Sequence, residues 1–194
     1  REAEIAAVRL NGGSDAAIED IYARFGEIVG DEKLAAKLCA LEIQSEEDSL
    51  RARPAVAEAL VRAVDSGTRV IGVSDMYLPS LSIKKMLSDL GMAQFAHLYV
   101  SCETGWRKDQ GRAWTEIASV ERVAPAGWLH VGDNEHSDIQ LPQEFGMPHP
   151  MPALRPSALL ELVPGLRGLD ATLRPENWLE DLCIGLVANR FALL

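Results

Sequence analysis

Three short runs in this chain set reactive side chains at turns. Val70-Ile71-Gly72-Val73 is apolar and ends at Ser74-Asp75. Gly105-Trp106-Arg107-Lys108-Asp109 leads into a helical pattern from Gly111, and Trp128-Leu129-His130-Val131 ends at Gly132-Asp133-Asn134-Glu135-His136-Ser137-Asp138. A serine hydroxyl near a helix N-terminus suits a phosphoryl oxygen, because backbone N–H groups and the helix dipole favour an anion there; the same residue serves equally as a plain cap. Lys108 has the charge to neutralise a phosphate or a nucleophilic carboxylate, or to stand solvated. Asp133 and Asp138, five positions apart, suit a hard divalent cation that keeps several waters, as magnesium does; the alternative is a capping cluster.

Other reactive side chains carry less. His97, His130, His136 and His149 share no metal-ligand spacing; His130, inside an apolar run, reads as a core histidine, and His136 lies on the site-side turn. Tyr77 and Trp106 are placed near the crevice that the strand ends would form, whereas Trp114, Trp128 and Trp178 read as core or interface. Cys102 has neither a helix dipole nor a histidine partner in view and is not taken as a nucleophile.

The elements that must position these groups follow from punctuation and period. Residues 1–53 are helical throughout: Glu2 to Leu10, then a helix with Ser14 as N-cap carrying Ile18, Ile21, Tyr22 and Phe25, then Asp31 to about Leu50. Pro54 suits a first helical position. From there strand and helix alternate to about residue 150, with strands at Val70–Val73, Leu98–Val100 and Trp128–Val131, and a short strand after Gly146-Met147-Pro148. Such alternation predicts an α/β fold, a Rossmann-like parallel sheet covered by helices, whose ligand crevice lies beyond the carboxyl ends of its strands. A last helical stretch is expected over 156–194. The formal charge of −10 and pI near 4.9 argue against nucleic acid and anionic membrane surfaces as partners. The chain has no apolar run of membrane-spanning length. Three cysteines without a CxxC pair argue against a disulfide framework or structural zinc, and a cytoplasmic setting is expected.

Taken in order along one sheet, hhhh-Ser74, Lys108 and hhhh-Gly132-Asp133-x4-Asp138 resemble the second, third and fourth motifs of the haloacid dehalogenase (HAD) superfamily. The likeness covers about residues 54–150. Val73-Ser74-Asp75-Met76-Tyr77-Leu78-Pro79 and His130-Val131-Gly132-Asp133-Asn134-Glu135-His136-Ser137-Asp138 look like a bacterial branch of HAD hydrolases often joined to glycosyltransferase domains. The resemblance implies a magnesium-dependent phosphohydrolase acting on a small phosphorylated metabolite. Ser74 and Lys108 would be catalytic, Asp75, Tyr77 and Asn134 substrate-binding, and Asp133 and Asp138 magnesium ligands. It also implies a division into a small helical cap (1–53), a HAD-like core (54–155) and a C-terminal helical extension (156–194), with further domains of a larger parent polypeptide as an expectation. The family's first motif, an Asp-x-Asp on the central strand that supplies nucleophile and general acid, has no counterpart in the 194 residues. Its segment is expected just upstream of Arg1, in the middle of the sheet, so the strands ending at Ser74 and Asp133 are expected not to pair with each other. The alternative is a catalytically silent HAD-like module that binds a phosphorylated ligand or scaffolds a neighbouring domain.

Overall fold

A computed structural model describes residues 1–153; the extension expected over 156–194 lies outside the described residues. Three helices open the chain: α1 (Glu2–Leu10), α2 (Ile18–Val29) and α3 (Glu32–Ser49). Ala3 and Ala7, one turn apart, bury the inner stripe of α1, while Glu2 and Glu4 at its start and Arg9 at its end complement the helix dipole. Gly30 takes a left-handed turn (φ 71°) after α2, and Asp31 then caps α3 by accepting the Leu34 N–H at 2.9 Å. α2 approaches α3 closely at Gly26, where a Cβ would sit 3.2 Å from that of Ala35. Ser14 does not cap α2, which begins after Ala17.

Beyond Arg53 come α4 (Pro54–Asp65), β1 (Ile71–Ser74), α5 (Ser80–Asp89), β2 (His97–Val100), α6 (Ser101–Thr104) and α7 (Arg112–Glu121). Pro54 occupies the first turn of α4, where its missing N–H costs nothing. β1 and β2 pair in parallel, with Ser74 opposite Val100, and the Leu98 side chain lies over Gly72, where a Cβ would meet its Cδ2 at 2.3 Å and make it shift. Tyr99 packs against Ala113 and Ile117 of α7 to form one core cluster; Ile18, Leu78 and Met86 form another, joining α2 to the segment after β1.

The second half of the sheet is shorter. β3 (Val131–Gly132) pairs in parallel with β4 (Met151–Pro152), linked through a π-helical turn (Glu135–Gln140) and α8 (Leu141–Phe145). As expected, β1 and β3 do not pair: the described residues form two separate parallel pairs. The run from Trp128 forms ladder only at its end, because β4 is its one strand neighbour among the described residues. Leu129 and Val131 are accordingly 63% and 53% exposed, and β1 is only partly buried along its length. Apolar side chains at such exposure on a sheet with helices around it mark a flank made to be covered.

Candidate functional site

The site is assembled around Asp138, which is 2% exposed. Its Oδ1 accepts from the Lys108 ammonium at 2.7 Å and lies 3.1 Å from His130 Nε2, while Oδ2 accepts the Asn134 backbone N–H at 3.0 Å. Burial alone would raise this carboxyl, but the hydrogen bonds from His130, Lys108 and Asn134 and the lysine charge outweigh it and hold it well below the ordinary carboxylate range. Gly132 is the physical condition for this arrangement. A Cβ at Gly132 would stand 2.4 Å from Asp138 Cγ, so the carboxylate lies against bare backbone. The Asn134 side chain caps the following turn, accepting the N–H groups of His136 and Ser137, both at 3.0 Å. Asp133 leaves β3 at an exposed position beside it.

Lys108 reaches Asp138 from the loop after β2. That loop is tied to the end of β1 by Asp75, whose Oδ1 and Oδ2 accept the Lys108 N–H at 3.0 and 2.9 Å; Oδ2 also accepts the Asp109 N–H at 3.4 Å. Burial raises the Asp75 carboxyl, and these N–H groups and the Lys108 charge work against that rise. Ser74, immediately before it, is partly buried at the last paired position of β1. The carboxyl ends of β1, β2 and β3 are therefore linked through two aspartates, Asp75 and Asp138, and one lysine, Lys108, across the interval in which β1 and β3 do not pair.

The helical region touches the same loop. Asp15 accepts from Arg107 Nη1 at 2.6 Å and from the buried Ser101 hydroxyl, and Arg107 turns its other nitrogens to Asp109. Ser101 Oγ in turn accepts the Met76 N–H at 3.0 Å. The Ile18 N–H donates to the Tyr77 carbonyl at 2.9 Å. Tyr77 itself packs among Ile18, Leu78 and Met86, with its hydroxyl 3.3 Å from Glu46 of α3; burial first, then Glu46 and Glu42, push that phenol up. The Cys102 thiol, pushed up to about 11 chiefly by burial, stays protonated near neutrality, in keeping with its exclusion as a nucleophile.

No protein-family model and no curated protein matches the chain. Among solved structures, the L-2-haloacid dehalogenase of Xanthobacter autotrophicus, determined with chloropropionic acid covalently bound, superposes over 93% of this chain and 70% of its own, with a TM-score of 0.58 at 17% identity. The fold is HAD-like.

Within this HAD-like fold the structure brings Asp75, Lys108, Asn134 and Asp138 into one hydrogen-bonded set, with Ser74 and Asp133 adjoining it in sequence. Tyr77 lies instead between β1 and the helices of residues 1–53. Asp138, expected to ligate a metal, has both oxygens engaged by Lys108, His130 and Asn134. Sequence reasoning took His130 as a core histidine without its Asp138 partner, and set Gly132 in the Gly-Asp motif without its steric role. Alternation along the strand was the available signal, because residues 130 and 132 share a face, and the face on which Gly132 makes room for Asp138 also carries His130. Ser101 ends the second strand run and was marked by that, but its pairing with Asp15, and that of Arg107 with Asp15, has no local signal; these partners lie 86 and 92 positions apart.

Proposed function

We propose that this chain is the cap-and-core portion of a magnesium-dependent HAD-type phosphohydrolase acting on a small phosphorylated metabolite. In this reading residues 1–53 form the helical cap, and an Asp-x-Asp strand that residues 1–194 lack takes the place between β1 and β3. The observation that carries the reading is the 2.7 Å pair between Lys108 and Asp138. It sets a partly buried, oriented ammonium between the loop after β2 and the turn after β3, on a loop held by Asp75, the residue that follows Ser74. An ammonium held against a carboxylate at that point offsets negative charge gathering on a transferring phosphoryl group, and the Ser74 hydroxyl donates to one of its oxygens.

The residues fit magnesium with one carboxylate of the expected two. Asp133 stands exposed at the end of β3, whereas Asp138 is committed to Lys108 and His130. Among the described residues no group of three His, Cys, Asp or Glu side chains is disposed to hold a metal. Magnesium commonly takes one or two protein carboxylates together with phosphate oxygens, so Asp133 would hold it, sharing it with the substrate and with the first-motif acids. When bound it supplies Lewis-acid stabilisation of phosphoryl charge. Asp138 and His130 keep Lys108 in position, and Asn134 holds the turn that carries Asp133.

A second reading, a silent module that binds a phosphorylated ligand or scaffolds a neighbouring domain, draws on the lack of any Asp-x-Asp in the sequence. The deciding experiment extends the chain upstream through the native Asp-x-Asp strand and assays a generic aryl phosphate with and without a chelator. Hydrolysis that needs magnesium, absent from residues 1–194 alone and reduced at least a hundredfold or so by Lys108→Ala or Asp133→Ala, supports the enzyme. No turnover with an intact Asp-x-Asp favours the silent module, and turnover by the short chain means the nucleophile is elsewhere.

A further inference from the structure

Asp75 follows Ser74 directly, where a residue touching substrate is expected, yet both its oxygens point into the backbone of the Lys108–Asp109 turn. A carboxylate so engaged is turned away from a ligand, and if it faced a phosphoryl anion it would repel it. The loop it holds runs between two glycines, Gly105 and Gly111, both in the left-handed region (φ 70° and 72°) on either side of Lys108. Between those two points the backbone is held on one side by Asp75. On the other, Arg107 ties it to Asp15. The end of β1 is itself paired with β2 up to Ser74.

We propose that Asp75 is a positioning residue: by holding the backbone N–H groups of Lys108 and Asp109 it fixes the turn from which the Lys108 ammonium meets Asp138 and the phosphoryl anion, and it does not contact substrate. The proposal rests on the phosphate-site reading above and deepens it. It accounts for a carboxylate beside an anion site, since charge-assisted hydrogen bonds from two successive N–H groups are stronger than neutral ones. It also explains how two strand pairs that share no ladder keep their carboxyl ends in register, because Asp75 joins β1 to the loop and Lys108 joins the loop to β3.

Two measurements on residues 1–194 test it. In the first, the carboxyl ¹³C resonance of Asp138 reports the nearby ammonium. Asp75→Ala is expected to move it to the position it takes in Lys108→Ala, and Asp75→Asn, which keeps one acceptor, to an intermediate one. In the second, inorganic phosphate is titrated into the single variants and the double variant. Asp75→Ala should weaken phosphate about tenfold in the parent, the equivalent of one charge-assisted hydrogen bond, and less than about twofold in the Lys108→Ala background. An unmoved Asp138 resonance overturns the proposal, as does an effect of Asp75→Ala that persists undiminished without Lys108, which would mean direct contact with the anion. Phosphate that binds the parent chain regardless of Lys108 overturns the phosphate-site reading, and the resonance decides the positioning role whether or not phosphate binds. Asp75→Asn stands in for Asp75→Ala if the alanine variant does not fold.

Discussion

At the residue scale, Gly132 and Asp138 form one steric and electrostatic unit. A methyl group at Gly132 would overlap the Asp138 carboxylate by more than any side chain tolerates, at 2.4 Å from Cγ. Gly132→Ala is therefore expected to cost about 2 kcal/mol in a urea melt by overpacking, and to displace Lys108 with Asp138. Asp138 also sets a pH dependence. Its folded-state affinity for protons is depressed, so the stability it confers is complete above the ordinary carboxylate range, about pH 4, and is lost as acidification carries it through its lower folded value. Asp138→Asn should flatten the fall of Tm between about pH 4 and pH 2 relative to the parent chain. An unchanged slope would show that other carboxylates carry the acid sensitivity.

At the scale of elements, the helices of residues 1–53 are joined to the core at a few polar points and one apolar cluster. Asp15 holds Ser101 and Arg107, the Ile18 N–H meets Tyr77, and Ile18 packs on Leu78 and Met86. The Asp15 and Arg107 side chains are 20% and 26% exposed, so their ion pair is worth about 1 kcal/mol or less to overall stability. Its effect is local. Asp15→Ala is expected to leave the melt nearly unchanged while speeding amide exchange across 101–109, the segment that presents Lys108. Equal exchange in parent and variant would show that Asp75 alone holds the loop.

At the scale of the whole molecule, the dominant feature is the interval between β1 and β3. Each strand has one ladder partner among the described residues, and Leu129 and Val131 stand largely exposed. Open strand edges with apolar side chains are templates for pairing with another chain. Residues 1–194 alone are expected to self-associate and to melt low, whereas the chain extended through an Asp-x-Asp strand should sediment as a smaller species and melt several degrees higher, as about 1 kcal/mol of added stability would give. Sedimentation velocity and a thermal melt of both forms check this. A monomeric short chain with the same Tm as the extended one would rule out a strand in that place.

The alternation of apolar runs with helical periods determined the α/β class by itself, because buried strands and amphipathic helices leave local signatures of period 2 and 3.6. Ser74 and Asp133 stood out because they end strands, and Lys108 because it lies in the loop that follows one. Tertiary structure alone decided which of them meet. Asp138 turns inward to Lys108 and His130 because Gly132 leaves it room, a fit between residues six apart on different elements. Asp75 binds a loop 33 positions on, and Asp15 one 92 positions on. Long-range polar pairing of this kind depends on where packed helices and strands bring the backbone, and no run of neighbouring residues encodes it.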